Sequence, residues 1–204
     1  MRTVCWILVP VAAYLLGNFN AGIVFSTLIF KKDLRRHGSR NPGATNAFRV
    51  LCGAAGSLVL FFDALKGAAA VALARWLLPG AYWPCAAGLL AVLGHVFPAL
   101  FKFKGGKGVA TAAGVTLLLQ PAVLLLDLVP FFILLFGLRY MSVASIASAL
   151  LLPVITFLLH GQITPPFWLG LALGALIVFT HRENIRRLMQ HEENKLFQKK
   201  REKP

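Results

Sequence analysis

Between residues 4 and 180 the chain is a succession of apolar runs, several close to 20 residues long, separated by short polar connections. In hydrocarbon every backbone N–H and C=O needs a partner within the structure, so lipid admits only helices and closed barrels. A crossing helix needs roughly 20 apolar residues. By length and apolarity the runs predict helices over residues 4–30, 58–78, 82–101, 122–138, 141–159 and 167–180. The stretch 109–119 is short for a full crossing and is followed by Gln120 and Pro121, so it is either a fourth span or the start of one long helix ending at Leu138. With 58% hydrophobic residues and only 14% charged, against about 25% charged in soluble domains, little chain is left for a soluble domain. The expectation is one all-α, polytopic membrane helix bundle over residues 1–204, with residues 182–204 as a basic tail.

Charge placement decides the number of spans. The chain has 21 Lys and Arg against 7 Asp and Glu, a net charge of +14, and cytoplasmic loops favour Lys and Arg. With seven spans, 18 of the 21 basic residues fall on one side: Lys31, Lys32, Arg35, Arg36, Arg40 and Arg49, then Lys102, Lys104 and Lys107, then Arg139, then the tail. With six spans the tail would change faces and the asymmetry would be lost. Seven spans put the N-terminus outside and the C-terminus in the cytoplasm. Trp6, Trp76, Trp83 and Trp168 then lie near outer ends, as interfacial aromatics do. The first run is too long for a signal-peptide core and has no small-residue cleavage site, so it reads as a retained span. Basic residues divided among short loops do not form the single face that nucleic acid needs. Cys5, Cys52 and Cys85 are too few for a disulfide scaffold, and no cluster of metal ligands is readable.

Three cytoplasmic segments carry the chemistry. The first runs Asp33-Leu-Arg-Arg-His-Gly38-Ser39-Arg40-Asn41-Pro42-Gly43-Ala44-Thr45-Asn46-Ala-Phe-Arg49. Its small residues let consecutive N–H groups converge on an anion. Ser39, Asn41, Thr45 and Asn46 add neutral hydrogen-bonding groups, and Arg49 a fork suited to phosphate. A loop merely lying on anionic headgroups would need the Lys and Arg but not the Gly, Asn, Ser and Thr. The second segment is Gly94-His95-Val-Phe-Pro98, continuing to Lys104-Gly105-Gly106-Lys107-Gly108 ahead of a helix at Val109. It reads as another anion cradle at a helix N-terminus. It is not a Walker A loop, because Phe101 and Gly108 stand where that motif requires glycine and Ser or Thr. The third is Thr180-His181-Arg182-Glu183-Asn184-Ile-Arg186-Arg187, in which a continuing helix would put His181 and Asn184 on one face. A basic amphipathic surface helix is the plain alternative. Asp63 and Lys66 lie three apart in the second run, as a functional pair or as an ion pair fixing helix packing; His95 is given a structural role, and Asp127 has no evident partner.

In order and spacing these segments resemble an acyl-phosphate-dependent glycerol-3-phosphate acyltransferase of bacterial membranes. The matching residues are Gly38-Ser39-x-Asn41-x-Gly43-Ala44-Thr45-Asn46 with Arg49, Asp63-x-x-Lys66-Gly67, Gly94-His95-x-Phe97-Pro98 with Gly105-Gly106-Lys107-Gly108, and His181-Arg182-x-Asn184-Ile-x-Arg187-Leu188. The resemblance implies a seven-span enzyme of the bacterial inner membrane. It would move a fatty acyl group from acyl phosphate to the 1-hydroxyl of glycerol 3-phosphate, giving lysophosphatidate and phosphate, with no cofactor. By position it implies Ser39, Asn41, Gly43, Ala44 and Thr45 for the acyl phosphate. Arg49, Lys104 or Lys107, His181 and Asn184 would bind glycerol 3-phosphate, with Ser39, His181 and Asn184 at the chemistry and Asp63, Lys66 and His95 as support. The departing phosphate or His181 would take the hydroxyl proton. No histidine is followed five positions later by aspartate, the pattern of thioester-using acyltransferases. Three positions depart from the family pattern: Gly17-Asn-Phe-Asn20-Ala-Gly22 replaces a Pro-containing turn, and Arg40 and His191 stand where glycine is usual. A transporter for an organic phosphate and a noncatalytic lipid-binding protein are the competing readings; the first would need a cavity reaching the outer face, where the loops are nearly uncharged, and the second leaves the glycines unexplained.

Overall fold

A computed structural model describes residues 2–196 and contains helices but no strands among them. The helices are α1 (Arg2–Asn18), α2 (Ala21–Leu28), α3 (Ala44–Val50), α4 (Gly53–Leu77), α5 (Tyr82–Val96), α6 (Val109–Leu119), α7 (Pro121–Leu138), α8 (Met141–His160), α9 (Pro165–Thr180) and α10 (Arg182–Met189). Four helical segments are long and apolar enough to cross a bilayer: Gly53–Leu77, Tyr82–Phe101, Pro121–Leu138 and Met141–His160. A fifth arises if α1 and α2, bent by 43° at their junction, form one broken span, while α6 and α9 are shorter apolar helices.

One sequence expectation is corrected, and two alternatives that the sequence left open are resolved. The first run is two helices, not one. Asn20 stops α1 continuing by taking an extended conformation and capping α2, its Oδ1 accepting from the Ile23 N–H at 3.1 Å. Asn18 donates to the Tyr14 carbonyl at 2.7 Å and accepts from the Leu100 N–H at 3.3 Å. The two amides therefore do the bending that a proline would do elsewhere. The stretch 109–119 is a helix of its own, because Gln120 leaves helical geometry and Pro121 begins α7. The seventh run does not continue unbroken into the tail: α9 ends at Thr180, and His181 lies between it and α10.

Without a hydrophobic driving force between helices, bilayer packing relies on small residues that let backbones approach. The α4–α6 and α1–α5 interfaces are built this way from both sides. A Cβ on Gly67 would lie 2.3 Å from the Thr111 carbonyl oxygen, and one on Gly114 would lie 1.9 Å from that of Ala64. Across α1 and α5, a Cβ on Gly17 would lie 2.2 Å from the Ala91 carbonyl oxygen, and one on Gly94 2.2 Å from that of Tyr14. Val71, Val92, Val115, Leu173 and Ile177 fill the centre from α4, α5, α6 and α9. Large apolar side chains such as Leu125, Ile133 and Leu158 are exposed on the outside, which suits a lipid-facing surface.

Candidate active site

The first basic segment is shaped by one buried amide. Asn46, on α3, accepts from the Ser39 N–H at 2.9 Å and donates to the carbonyls of Leu34 and His37 at 3.1 and 3.0 Å. It therefore closes residues 34–39 into a loop and is not free to act as a ligand donor, contrary to the sequence reading of it. Gly38 at φ +61 is needed here, since a Cβ would meet Asn46 Oδ1 at 2.3 Å. Asn41 turns the chain by accepting from the Gly43 N–H at 2.9 Å, which leaves its side-chain N–H groups available. The loop is tied to the broken span beneath it, because a Cβ on Gly22 would fall 1.6 Å from the Pro42 carbonyl oxygen.

The second segment behaves differently from a simple anion cradle. The N–H groups of Gly105 and Gly106 bond back to the carbonyls of Val96 and His95 at 3.2 and 3.1 Å. The glycines serve close packing: a Cβ on Gly106 would lie 2.1 Å from His95 Nε2. What the loop delivers to the site is Lys107, anchored by Thr180, whose hydroxyl donates to the Lys107 carbonyl at 3.1 Å. Below it lies a buried trio. Lys66 Nζ is 2.9 Å from Asp63 Oδ1 and 2.7 Å from His95 Nδ1, and donates to the Phe19 carbonyl at 2.7 Å. His95 Nδ1 is 3.4 Å from Asp63 Oδ1. These contacts join the α1–α2 junction, α4, α5 and the glycine loop, so the structural role of His95 is that of a member of a buried network.

The third segment brings in His181, Asn184 and an acidic residue the sequence reading left without a role. His181 is buried, and its Nδ1 is 2.8 Å from the Ile177 carbonyl. Burial, then the neighbouring Lys107 cation, pull its pKa down to about 4. The ring is therefore neutral near pH 7, with Nδ1 carrying the hydrogen and Nε2 an open acceptor. Asn184 Oδ1 accepts from Lys107 Nζ, and its Nδ2 donates to Glu193 Oε1 at 2.6 Å. Glu193 also receives Ser142 at 2.9 Å and Arg187 at 2.8 Å. Burial raises the Glu193 pKa, but the hydrogen bonds from Asn184, Arg187 and Ser142 outweigh it and leave it below the usual value. Its signal in the sequence was its sign, a carboxylate within a strongly basic tail. Burial depresses the pKa of Lys107 to about 8, with Glu193 opposing and Arg187 and Arg49 adding to the shift.

These groups meet around one cavity of about 400 Å³. Ser39, Asn41, Gly43, Ala44, Thr45, Arg49, Lys107, His181 and Asn184 line its polar end, with Asp63 and His95 also on its wall. Lys104 is exposed and lies outside the lining. Arg49 donates to the Asn194 carbonyl at 3.2 Å, so the segment after α10 closes one side. From there the cavity runs down between α4, α6, α7 and α8, lined by Leu60, Val109, Leu128, Phe131 and Leu152 among others. A cationic, amide-lined end thus opens into an apolar groove.

Residues 7–191 match the family model described as glycerol-3-phosphate acyltransferase. The chain belongs to that family. The glycerol-3-phosphate acyltransferase of Staphylococcus aureus strain Newman is 41% identical over 192 residues, which cover 90% of this chain and 94% of the relative. The crystal structure of PlsY (YgiH), an integral membrane glycerol 3-phosphate acyltransferase in its glycerol 3-phosphate form, superposes with a TM-score of 0.88 at 37% identity, covering 93% of this chain and 94% of the other. Its lysophosphatidic acid form superposes with a TM-score of 0.84 at 36% identity and the same coverage. The chain is an acyltransferase and a membrane protein. Within the family its departures have local explanations: the span-one amides form the α1–α2 bend, while Arg40 and His191 both adopt left-handed backbone angles, φ 60 and 58, where glycine is the unstrained residue.

Proposed function

We propose that this acyltransferase moves a fatty acyl group from acyl phosphate to the 1-hydroxyl of sn-glycerol 3-phosphate, releasing lysophosphatidate and inorganic phosphate at the cytoplasmic face of a bacterial inner membrane. The observation that carries the reading is the continuity of the cavity, cationic and amide-lined at one end and apolar along the other. Such a shape suits a substrate with a phosphate head and an acyl tail beside a small phosphorylated acceptor. The relative crystallised with glycerol 3-phosphate and with lysophosphatidic acid supports the same acceptor and product here.

In this reading Ser39, Asn41, Thr45 and the backbone of Gly43 and Ala44 hold the acyl-phosphate group. Arg49, Lys107, His181 and Asn184 hold glycerol 3-phosphate, and exposed Lys104 attracts it at the rim. The 1-hydroxyl oxygen attacks the carbonyl carbon, the bond from that carbon to the phosphate oxygen breaks, and the hydroxyl proton leaves with the phosphate. His181 Nε2 accepts a hydrogen bond from the hydroxyl and orients it, while Ser39 donates to the carbonyl oxygen as charge develops there. Asn184 keeps Lys107 in register, and holding two anions together supplies proximity. The mixed anhydride is already activated, so the chemistry calls for no metal or cofactor. Asp63, Lys66 and His95 support the loops from below.

The topology that fits is a single membrane domain crossing seven times, with the broken α1–α2 pair, α6 and α9 among the crossings. The N-terminus is then outside and the tail from residue 182 inside; residues 197–204 of that tail lie outside the described structure. The deciding assay supplies purified protein with palmitoyl phosphate and glycerol 3-phosphate and follows both products. Equal amounts of lysophosphatidate and phosphate are expected; phosphate release without the acceptor, or none at all, overturns the reading.

A further inference from the structure

Asp127 sits well inside α7, six residues after its start at Pro121, where an ionisable side chain facing lipid is costly and rare. It does not face lipid. Only 5% of it is exposed, it lines the hydrocarbon part of the cavity, and its Oδ2 accepts a hydrogen bond from Ser148 of α8. Its Oδ1 is buried with no hydrogen-bond partner. If the pair existed only to tie α7 to α8, Ser148 would serve it and the second oxygen would have no reason to remain open in a dry groove, since a buried polar atom without a partner is costly.

Ser148 also ends a ladder. Ser142, Ser145 and Ser148 recur every third residue along α8, and all three line the cavity. Ser142 meets Glu193 at the polar end, and Ser145 bonds to the Met141 carbonyl. Six helical residues separate Ser142 from Ser148, about 9 Å along the axis. An acyl chain lying in the groove with its head beside Lys107 therefore passes Asp127 several carbons below its carbonyl.

We propose that Asp127 and Ser148 form a hydrogen-bonding subsite within the acyl groove, and that the enzyme recognises there an acyl chain bearing a hydroxyl part-way along its length. A mid-chain hydroxyl has no partner among lipid tails, so a groove that offers one favours it over the bilayer. The open Oδ1 supplies that partner, and Leu124, Leu128 and Phe131 on the same helix line the groove for the methylenes on either side. The inference rests on the proposal that this groove takes the acyl chain.

The test compares palmitoyl phosphate with a series of hydroxyhexadecanoyl phosphates carrying the hydroxyl at successive carbons, by kcat/KM for the purified enzyme. One position, or two adjacent ones, should stand about fivefold above the remaining isomers, the factor expected of one net hydrogen bond. In Asp127→Leu the profile should become flat, and in Asp127→Asn, which keeps hydrogen-bonding atoms at that place, the peak should persist. A flat profile in the unaltered enzyme, or a peak that survives Asp127→Leu, overturns the subsite. A merely structural tie between α7 and α8 would change stability but not the position of a peak. If no acyl phosphate is turned over, the donor assignment fails on its own. Binding of the free hydroxyhexadecanoic acids, measured by thermal stabilisation of the protein, then decides the subsite: a positional maximum lost in Asp127→Leu supports it, and a flat series overturns it.

Discussion

Lys107 and Asn184 are hydrogen-bonded partners across the polar end of the cavity, Nζ to Oδ1, although they are 77 positions apart in the chain. The contact joins the glycine loop to the helix of the tail, and Glu193 fixes the other side of the same amide at 2.6 Å. Asn184→Ala removes the group that aims Lys107 and leaves Glu193 one donor short. The proposed assignment predicts that KM for glycerol 3-phosphate rises about tenfold or more in Asn184→Ala, the loss of roughly one charged hydrogen bond, while KM for the acyl donor changes much less. Arg49→Ala should show the same split. Steady-state kinetics with each substrate varied in turn checks it; equal losses toward both substrates count against two separate subsites.

Titration of Lys107 gives a pH signature. Its pKa of about 8 in the free enzyme means that the cation which attracts phosphate is present below pH 8 and lost as pH rises through it. kcat/KM for glycerol 3-phosphate should therefore fall on an alkaline limb near 8. The limb in kcat should lie higher, because a bound phosphate stabilises the ammonium. Lys107→Arg should move the limb out of the accessible range, since guanidinium stays protonated. His181, with a pKa of about 4, should add no acid limb near 6.5 once the substrate phosphate's own ionisation near 6 is allowed for.

The helices were readable in the sequence because apolar length is a one-dimensional property, and α6 to α9 start and stop within two residues of the runs that predicted them. The α1–α2 break was not, because amides in an apolar run do not by themselves tell a bend from a continuous helix: Asn18 and Asn20 bend the chain through hydrogen bonds to Tyr14, Leu100 and Ile23. The polar end of the cavity was legible from residue type, since phosphate-binding groups are sparse in a chain this apolar. Glu193 and Ser142 were missed because their meaning lies in convergence. A carboxylate in a basic tail and a serine at the start of α8 become part of a site only when α10 returns the chain to meet it.

The buried trio predicts an asymmetric mutational response. The side chains of Lys66 and Asp63 are 4% and 2% exposed, and removing one partner of a buried pair leaves an uncompensated charge worth about 3–5 kcal/mol. Lys66→Met should lower the thermal midpoint in detergent strongly and reduce activity with it. The double exchange Asp63→Leu with Lys66→Met should recover part of that loss in midpoint, because no lone charge remains. A double variant no more stable than Lys66→Met alone would contradict the account.

Arg40 and His191 occupy left-handed backbone, φ 60 and 58, which costs a residue with a Cβ about 1–2 kcal/mol. Glycine removes that cost but adds freedom to the unfolded chain, worth about 0.4–1 kcal/mol in the other direction. The net expectation for Arg40→Gly or His191→Gly is a gain of about 0.5–1 kcal/mol, read as a higher thermal midpoint. Arg40 also brings a cation beside Ser39. Arg40→Gly therefore separates two effects, because His191→Gly changes stability without altering the charge of the phosphate loop.

Helix approach offers the sharpest contrast within one residue type. Gly114 of α6 lies so close to α4 that a Cβ there would stand 1.9 Å from the Ala64 carbonyl oxygen, whereas nothing lies within 4 Å of the same atom built on Gly137 of α7. Backbone cannot rotate away as a side chain can, so Gly114→Ala must push α6 from α4. That movement would displace Val109, Ala112 and Ala113 from the groove wall and alter the start of α6 beside Lys107. We expect Gly114→Ala to lose most activity and several degrees of thermal stability in detergent, and Gly137→Ala to retain both. If the two variants behaved alike, the α4–α6 contact would not be what sets the width of the groove.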